Sequence, residues 1–341
     1  CVYNKPLKTF LDHIVKVLNE EYDDISKLVV ILPSKRSCLY FKDALRNSGL
    51  RSSWLPKILT LNQLIDELFQ GRIENSLTLL SELYNLARKL NLKEAETFEE
   101  FYRWGDVLLH DFSTIESYGV NGRDLYRNLR EIEKIERWSF SQENLSSNQI
   151  AFNDFWMKQG ELYQAFTTLL KKENRASGAM ALRWVVENSE KVLLPYENSH
   201  FIVAGFNALS SVEQQFISEL MKINKSFFIP DSDEFFKKGN REAGYFYRQL
   251  LKKHHWKGLK DIPDAFSKDD KNIAFISATQ RSAMAIVCSQ LLKTKTDLSN
   301  TALVLGDESL LEPIISSLPD NVGPVNITMG FKLRNTPVYD L

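Results

Sequence analysis

The chain has 341 residues, 43% hydrophobic and 26% charged, a folded globular composition too long for one ordinary core. Its 43 basic residues are balanced by 44 acidic ones, which excludes a nucleic-acid coat spread over the whole surface and leaves only a local patch. No apolar run approaches the roughly 18 residues needed to cross a bilayer. The N-terminus lacks a signal pattern, and Cys1, Cys38 and Cys288 are too scattered for a disulfide framework or metal spacing. A cytoplasmic protein with no membrane partner is therefore expected. The adjacent His254 and His255 have no ligand spacing around them and read as solvated surface, so no metal and no cofactor are expected.

In chain order, Leu7, Phe10, Leu11, Ile14, Val15 and Leu18 recur at helical spacing. LVVILP at residues 28–33 is a continuous apolar run, the pattern of a parallel strand buried on both faces. SKRSCLYFKDALRNSG follows, with Leu39, Tyr40 and Leu45 assigned to its buried face and Gly49 as its stop. A short apolar piece at 57–61 leads into Thr60 and Gln63, spaced as a capping box before Leu64, Ile65 and Leu68.

Residues 72–190 change texture: glycine is sparse, apolar residues recur at helical spacing, and Thr97 with Glu100 forms another capping box. The prediction is an all-helical block, with its main loop at 139–149. Strand signals return at HFIVA, residues 200–204, followed by a third capping box at Ser210 and Glu213, and again at Phe227–Ile229. The polar stretch 252–271 reads as a linker. Beyond it, NIAFISA and TALVLG each read as a strand followed by a helix. The closing VNITMGFKLRNTPVYDL stops inside an apolar run, so a piece of a longer protein is expected. Buried strands alternating with helices predict an α/β fold with parallel sheets.

Such a sheet invites a search for phosphate loops. No glycine is followed by lysine, and no glycines are spaced as G-x-G-x-x-G, so the usual cradle for a triphosphate is missing. G-x-S-x-G, H-E-x-x-H and calcium-loop spellings are absent as well. Pairs such as Asp231 with Asp233 and Glu99 with Glu100 read as solvated faces.

Four ordered segments, VVILPSKRSCLYFKDAL, PKILTLNQLIDEL, FIVAGFNALSSVEQQFISELM, and NIAFISATQRSAMAIVCSQLL with NTALVLGDESLLEPIISSLP, resemble AddB and related superfamily 1 helicase-like proteins. NITMGFKLRNTPVYDL is most similar to the Bacteroidetes branch described as PD-(D/E)XK nuclease family proteins. The resemblance implies a RecA-like, P-loop-type parallel-sheet domain over 1–71 and 191–255. It further implies a large helical insertion at 72–190 and the beginning of a second RecA-like domain at 271–341. The departures imply a retired motor. The phosphate loop is missing, and Ala204, before Gly205 and Phe206, stands where the family holds magnesium with an acid.

The resemblance places Ser34, Lys35 and Arg36 on single-stranded DNA, with Thr60 and Asn62 as further contacts. Thr60 also reads as a helix cap, and Lys35 and Arg36 also read as a solvated helix start. Thr279, Gln280 and Arg281 occupy a motif that touches nucleotide or DNA in active relatives, although Arg281 also reads as an ion-pair residue. Trp54, Trp104 and Trp138 have the size to stack on bases but are assigned to the core. The expected function is a non-catalytic scaffold for DNA-end processing in recombinational repair. Its expected partners are single-stranded or double-stranded DNA ends and an AddA-like helicase–nuclease subunit. Exonuclease activity would belong to a PD-(D/E)XK domain of the parent. Two alternatives stay open: a protein-interaction module that does not bind DNA, and a nucleotide-dependent enzyme with an unorthodox phosphate site.

Overall fold

The structure is a computed structural model that describes residues 9–48, 54–92, 97–128, 147–223, 225–254, 256, 264, 266–267, 272–299, 301–330 and 338, with backbone alone over 147–157. The chain divides into two compact units, residues 1–269 and 270–341.

The first unit is built on a four-stranded, wholly parallel sheet. Its strands are β1 (Leu28–Leu32), β2 (Lys57–Thr60), β5 (His200–Ala204) and β6 (Phe227–Ile229), in the order β2-β1-β5-β6. All five residues of β1 are buried, as the unbroken apolar run predicts for a strand covered on both faces. Side chains alternate across the pleat. Val29, Ile31, Leu59, Phe201, Val203 and Phe228 enter one core, while Leu28, Val30, Leu32, Ile202, Ala204 and Ile229 enter the other. Each large apolar side chain buried in this way contributes about 1.5–3 kcal/mol.

The second of these cores is closed by two helices, α1 (Phe10–Glu21) and α2 (Lys35–Asn47). The buried stripe of α2 is Cys38, Phe41 and Leu45, whereas Leu39 and Tyr40 are exposed. This corrects the predicted face. Cys38, Phe41 and Leu45 are spaced three and four apart and share one side of the helix, and Leu39 and Tyr40 lie round the cylinder from it.

The first core is much larger. It receives α3 (Leu61–Leu68), α4 (Ser76–Lys89), α5 (Phe98–Ser117), α6 (Ser147–Lys172), α7 (Gly178–Glu187), α8 (Ser189–Val192) and α9 (Ser211–Leu220). Leu83, Phe101, Phe112 and Phe166 of the helices and Phe201 and Phe228 of the sheet form one continuous cluster. A two-residue pair of strands, β3 (Arg72–Ile73) and β4 (Arg175–Ala176), ties the α3–α4 connection to the α6–α7 connection. Arg175 fastens it through Glu74 (3.4 Å), Glu82 (2.8 Å) and Glu173. Deeper in the helices, buried Glu116 accepts from the Tyr163 hydroxyl and from Arg183 Nη1 at 3.2 Å. Burial, reinforced by the Glu116 carboxylate, raises the Tyr163 phenol above its ordinary value.

The stretch predicted as a linker from residue 252 is anchored at its start. α10 (Glu234–Lys237) and α11 (Tyr245–Lys253) follow β6, and Trp256 then packs on Phe228 at 4.7 Å and donates to Ser218 Oγ at 2.9 Å. His254 stacks on Trp256 at 4.9 Å and meets Gln214 Oε1 at 3.0 Å, so it is held half-buried rather than solvated. His255 lies outside the described residues. Phe266 sits against Phe235 and Phe236, and its amide donates to Asp233 at 3.0 Å.

In the second unit, α12 (Arg281–Lys293) packs with α13 (Leu311–Ser316). The segments predicted as strands, NIAFISA and TALVLG, are not in a ladder: no strand is found among the described residues of this unit. Phe275 is 97% exposed and Val304 86%. A doubly buried parallel strand needs hydrogen-bonded neighbours and two covering layers, and neither segment has them here.

Candidate nucleic-acid interface

Sheet topology singles out one place in the first unit. The β1–α2–β2 crossover puts α2 on one face, and the β5–α9–β6 crossover puts α9 on the other. The two crossovers leave the β1/β5 pair in opposite directions with their helices on opposite faces, so they share one hand. The chain order therefore reverses between β1 and β5. In open parallel sheets, ligands bind outside the carboxyl ends of the strands at such a point.

The register of β1 against β2 pairs Leu32 with Thr60, and that of β1 against β5 pairs Ile31 with Val203. Ser34–Arg36, Thr60–Asn62 and Ala204–Phe206, noted separately in the sequence, thus converge on one edge of one sheet.

Only Pro33 and Ser34 join β1 to α2. Ser34 is the N-cap: its hydroxyl accepts from Ser37 N–H at 3.1 Å, and Ser37 Oγ accepts from Ser34 N–H at 3.1 Å. Ser34 is thereby spent on the helix start, a capping role that went unread because Ser rather than Glu or Gln stands at the third helical position. Lys35 and Arg36 follow in the first turn, exposed to solvent. One turn further lie Leu39 and Tyr40, 63% and 56% exposed, so Lys35 with Leu39 and Arg36 with Tyr40 run along one open flank. The Cys38 thiol beneath them is pushed up by burial.

Thr60 is 7% exposed and caps α3, exchanging hydrogen bonds with Gln63 (Gln63 N–H to Thr60 Oγ1, 3.3 Å; Thr60 N–H to Gln63 Oε1, 2.9 Å). Its hydroxyl also donates to Gln63 Oε1 at 3.3 Å, so the capping box read from the sequence forms in full. Asn62 is exposed on the same first turn.

At the end of β5, Ala204 is fully buried and Phe206 nearly so, and they enter opposite cores. Gly205 between them has φ +83°, and its amide donates to Ile229 O at 3.0 Å. A Cβ on it would lie 3.3 Å from Pro33 Cδ and 3.4 Å from Phe10 Cε1. Gly205 thus packs closely against the rings of Pro33 and Phe10.

Thr279, Gln280 and Arg281 belong to the second unit. All three are exposed, and Arg281 Nη1 pairs with Asp307 Oδ2 at 3.2 Å. The Ser309 hydroxyl and amide, with Arg281, hold the Asp307 carboxyl below its ordinary value. Of the tryptophans, Trp104 packs edge-on to Phe101 at 4.6 Å against the core as expected. Trp54 is 76% exposed, which corrects its assignment to the core: it precedes β2 at the rim of the sheet, where neither layer of helices covers it. Trp138 lies outside the described residues. Among the described residues, no cluster of His, Cys, Asp and Glu has the arrangement of a metal site, and no helix is long and apolar enough to cross a membrane. No protein-family model and no curated protein matches this chain.

Proposed function

We propose that this chain is the non-catalytic, helicase-like scaffold of an AddB-type protein. In this reading its sheet is a RecA-like domain interrupted by the helices of residues 72–190, and a second such domain begins near residue 271. It guides a single strand from a DNA end along the carboxyl edge of the sheet and docks an AddA-like motor subunit in the cytoplasm. The observation that carries the reading is the position of Lys35 and Arg36. They stand exposed at the chain reversal between β1 and β5, on the loop that the resemblance turns toward single-stranded DNA, and beside buried Ala204 where a motor would have its acid. Contacts of this kind are made to phosphates, so binding is blind to base sequence and weakens as salt rises.

The test is titration of the chain with a fluorescent oligothymidylate of about 20 nucleotides at about 50 and 200 mM salt. Binding at low salt that fades by an order of magnitude or more at high salt supports the scaffold. No binding in either condition refutes the DNA role. Capture of an AddA-like subunit without DNA affinity would then favour a pure protein-interaction module.

A further inference from the structure

A second feature of the same sheet edge points to the ligand and rests on the reading just given. Residues 234–253 carry six lysines and arginines against two glutamates, in a chain whose net charge is −1. Two of the six are structural. Arg241 Nη1 donates to Phe235 O at 3.0 Å and to Lys238 O at 2.9 Å, and its guanidinium lies 3.7 Å over the Phe235 ring. Arg248 donates to Phe236 O at 2.7 Å and to Arg241 O at 2.6 Å. Gly244 fits so closely that a Cβ would fall 2.1 Å from Phe236 O. The start of α11 is therefore fixed against α10, which itself begins five residues after β6 ends. The other end of α11 is tied to the first turn of α9 by His254 Nε2 and Gln214 Oε1 at 3.0 Å, an oxygen that Lys253 also meets at 3.0 Å. Both ends are pinned beside the carboxyl ends of β5 and β6.

The helix buries Tyr247 and Leu250 and turns Tyr245 and Phe246 outward, 51% and 53% exposed, with rings 5.4 Å apart at 79°. Lys252 and Lys253 are exposed at its far end, seven residues and so about 10 Å along the axis, a span of about three phosphates of a stacked strand. We propose that this outward face of α11 is a contact surface for single-stranded nucleic acid, with Tyr245 and Phe246 stacking on bases and Lys252 and Lys253 neutralising phosphates. Paired exposed rings beside lysines are the usual components of sequence-tolerant single-strand binding. An acidic peptide would satisfy the lysines alone. Neighbouring strands of a sheet lie about 4.8 Å apart, so the ends of β1 and β6, two strands apart, are separated by about 10 Å.

The experiment compares the whole chain with its Y245A/F246A, K252E/K253E and K35A/R36A variants by anisotropy. Its ligands are an oligothymidylate of about 20 nucleotides, an abasic sugar-phosphate strand of the same length, and polyglutamate as competitor, in about 50 mM salt. Loss of stacking should weaken Y245A/F246A on oligothymidylate by about tenfold or more while leaving its affinity for the abasic strand unchanged. K252E/K253E should weaken binding of both strands, and far-UV circular dichroism of every variant should match that of the parent chain. If Y245A/F246A binds oligothymidylate like the parent while K35A/R36A does not, the α11 surface is wrong and the scaffold reading stands. If the parent binds neither strand, both fall. Displacement by polyglutamate as effective as that by oligothymidylate would overturn base stacking in favour of an acidic peptide.

Discussion

Gly205→Ala probes the chain reversal on which the candidate interface is built. The residue adopts φ +83°, a region that costs a residue with a side chain about 1–2 kcal/mol. Its new Cβ would press on the ring of Pro33 at 3.3 Å, which cannot rotate away, and on Phe10 at 3.4 Å, so a shift of a few tenths of an ångström adds to the cost. Against this, alanine lowers the freedom of the unfolded chain and returns about 0.4–1 kcal/mol. The net expectation is a destabilisation of about 1–2 kcal/mol. All six tryptophans fall within residues 1–269, so urea unfolding followed by tryptophan fluorescence reports on the unit that contains the mutation. Gly178→Ala is the control: it opens α7, and its Cβ would meet nothing within 4 Å. It should shift stability by no more than about 0.5 kcal/mol. A Gly205→Ala chain as stable as the control variant would refute the described geometry of the β1 and β5 loops.

Three further outcomes can be checked by the same unfolding assay. Glu116→Ala strips the acceptor from Tyr163 and Arg183 in the helical core and should cost about 2–4 kcal/mol, with Glu116→Gln costing less because it keeps an acceptor for Tyr163. A neutral alanine variant would show that the buried network contributes nothing. Trp256→Ala should cost about 2–4 kcal/mol if the chain beyond α11 is anchored on Phe228 and Ser218, and close to nothing if it is a free linker. His254 is held below its ordinary value of 6.5, first by burial and then by Lys253. The folded state then binds fewer protons than the unfolded one near pH 6, so this contribution is intact above pH 6.5 and is lost as pH falls. His254→Gln should flatten the decline in unfolding midpoint between about pH 7 and pH 5; an unchanged decline would remove His254 as its source.

Local signals were the legible ones. The apolar runs at β1 and β5 announced doubly buried strands, and the capping boxes at Thr60, Thr97 and Ser210 all form as spelled. Features set by distant partners were not legible. The β3–β4 pair joins residues about a hundred positions apart through two residues each, too few to carry a periodicity. The run TALVLG has the composition of β1 but no neighbouring strand among the described residues, and composition alone cannot supply one. The same limit applied to the candidate site. Lys35 and Arg36 were visible as a basic pair after a strand, whereas the open Tyr40 flank depends on which side of α2 meets Phe41's core. Tyr245 and Phe246 drew no notice because a run of aromatics reads as core until the packing of Tyr247 and Leu250 shows which side faces inward.

In the proposed scaffold, Lys35 and Arg36 meet the backbone of a single strand at the chain reversal. The most direct measurement of that contact is the dependence of oligothymidylate affinity on salt concentration for the parent chain and for K35A/R36A. Each lost phosphate contact should reduce the logarithmic slope by about 0.7–1. A slope shallower by about 1.5–2, with weaker binding at low salt and unfolding unchanged, is the predicted result. Parent and variant lines that superimpose would contradict it.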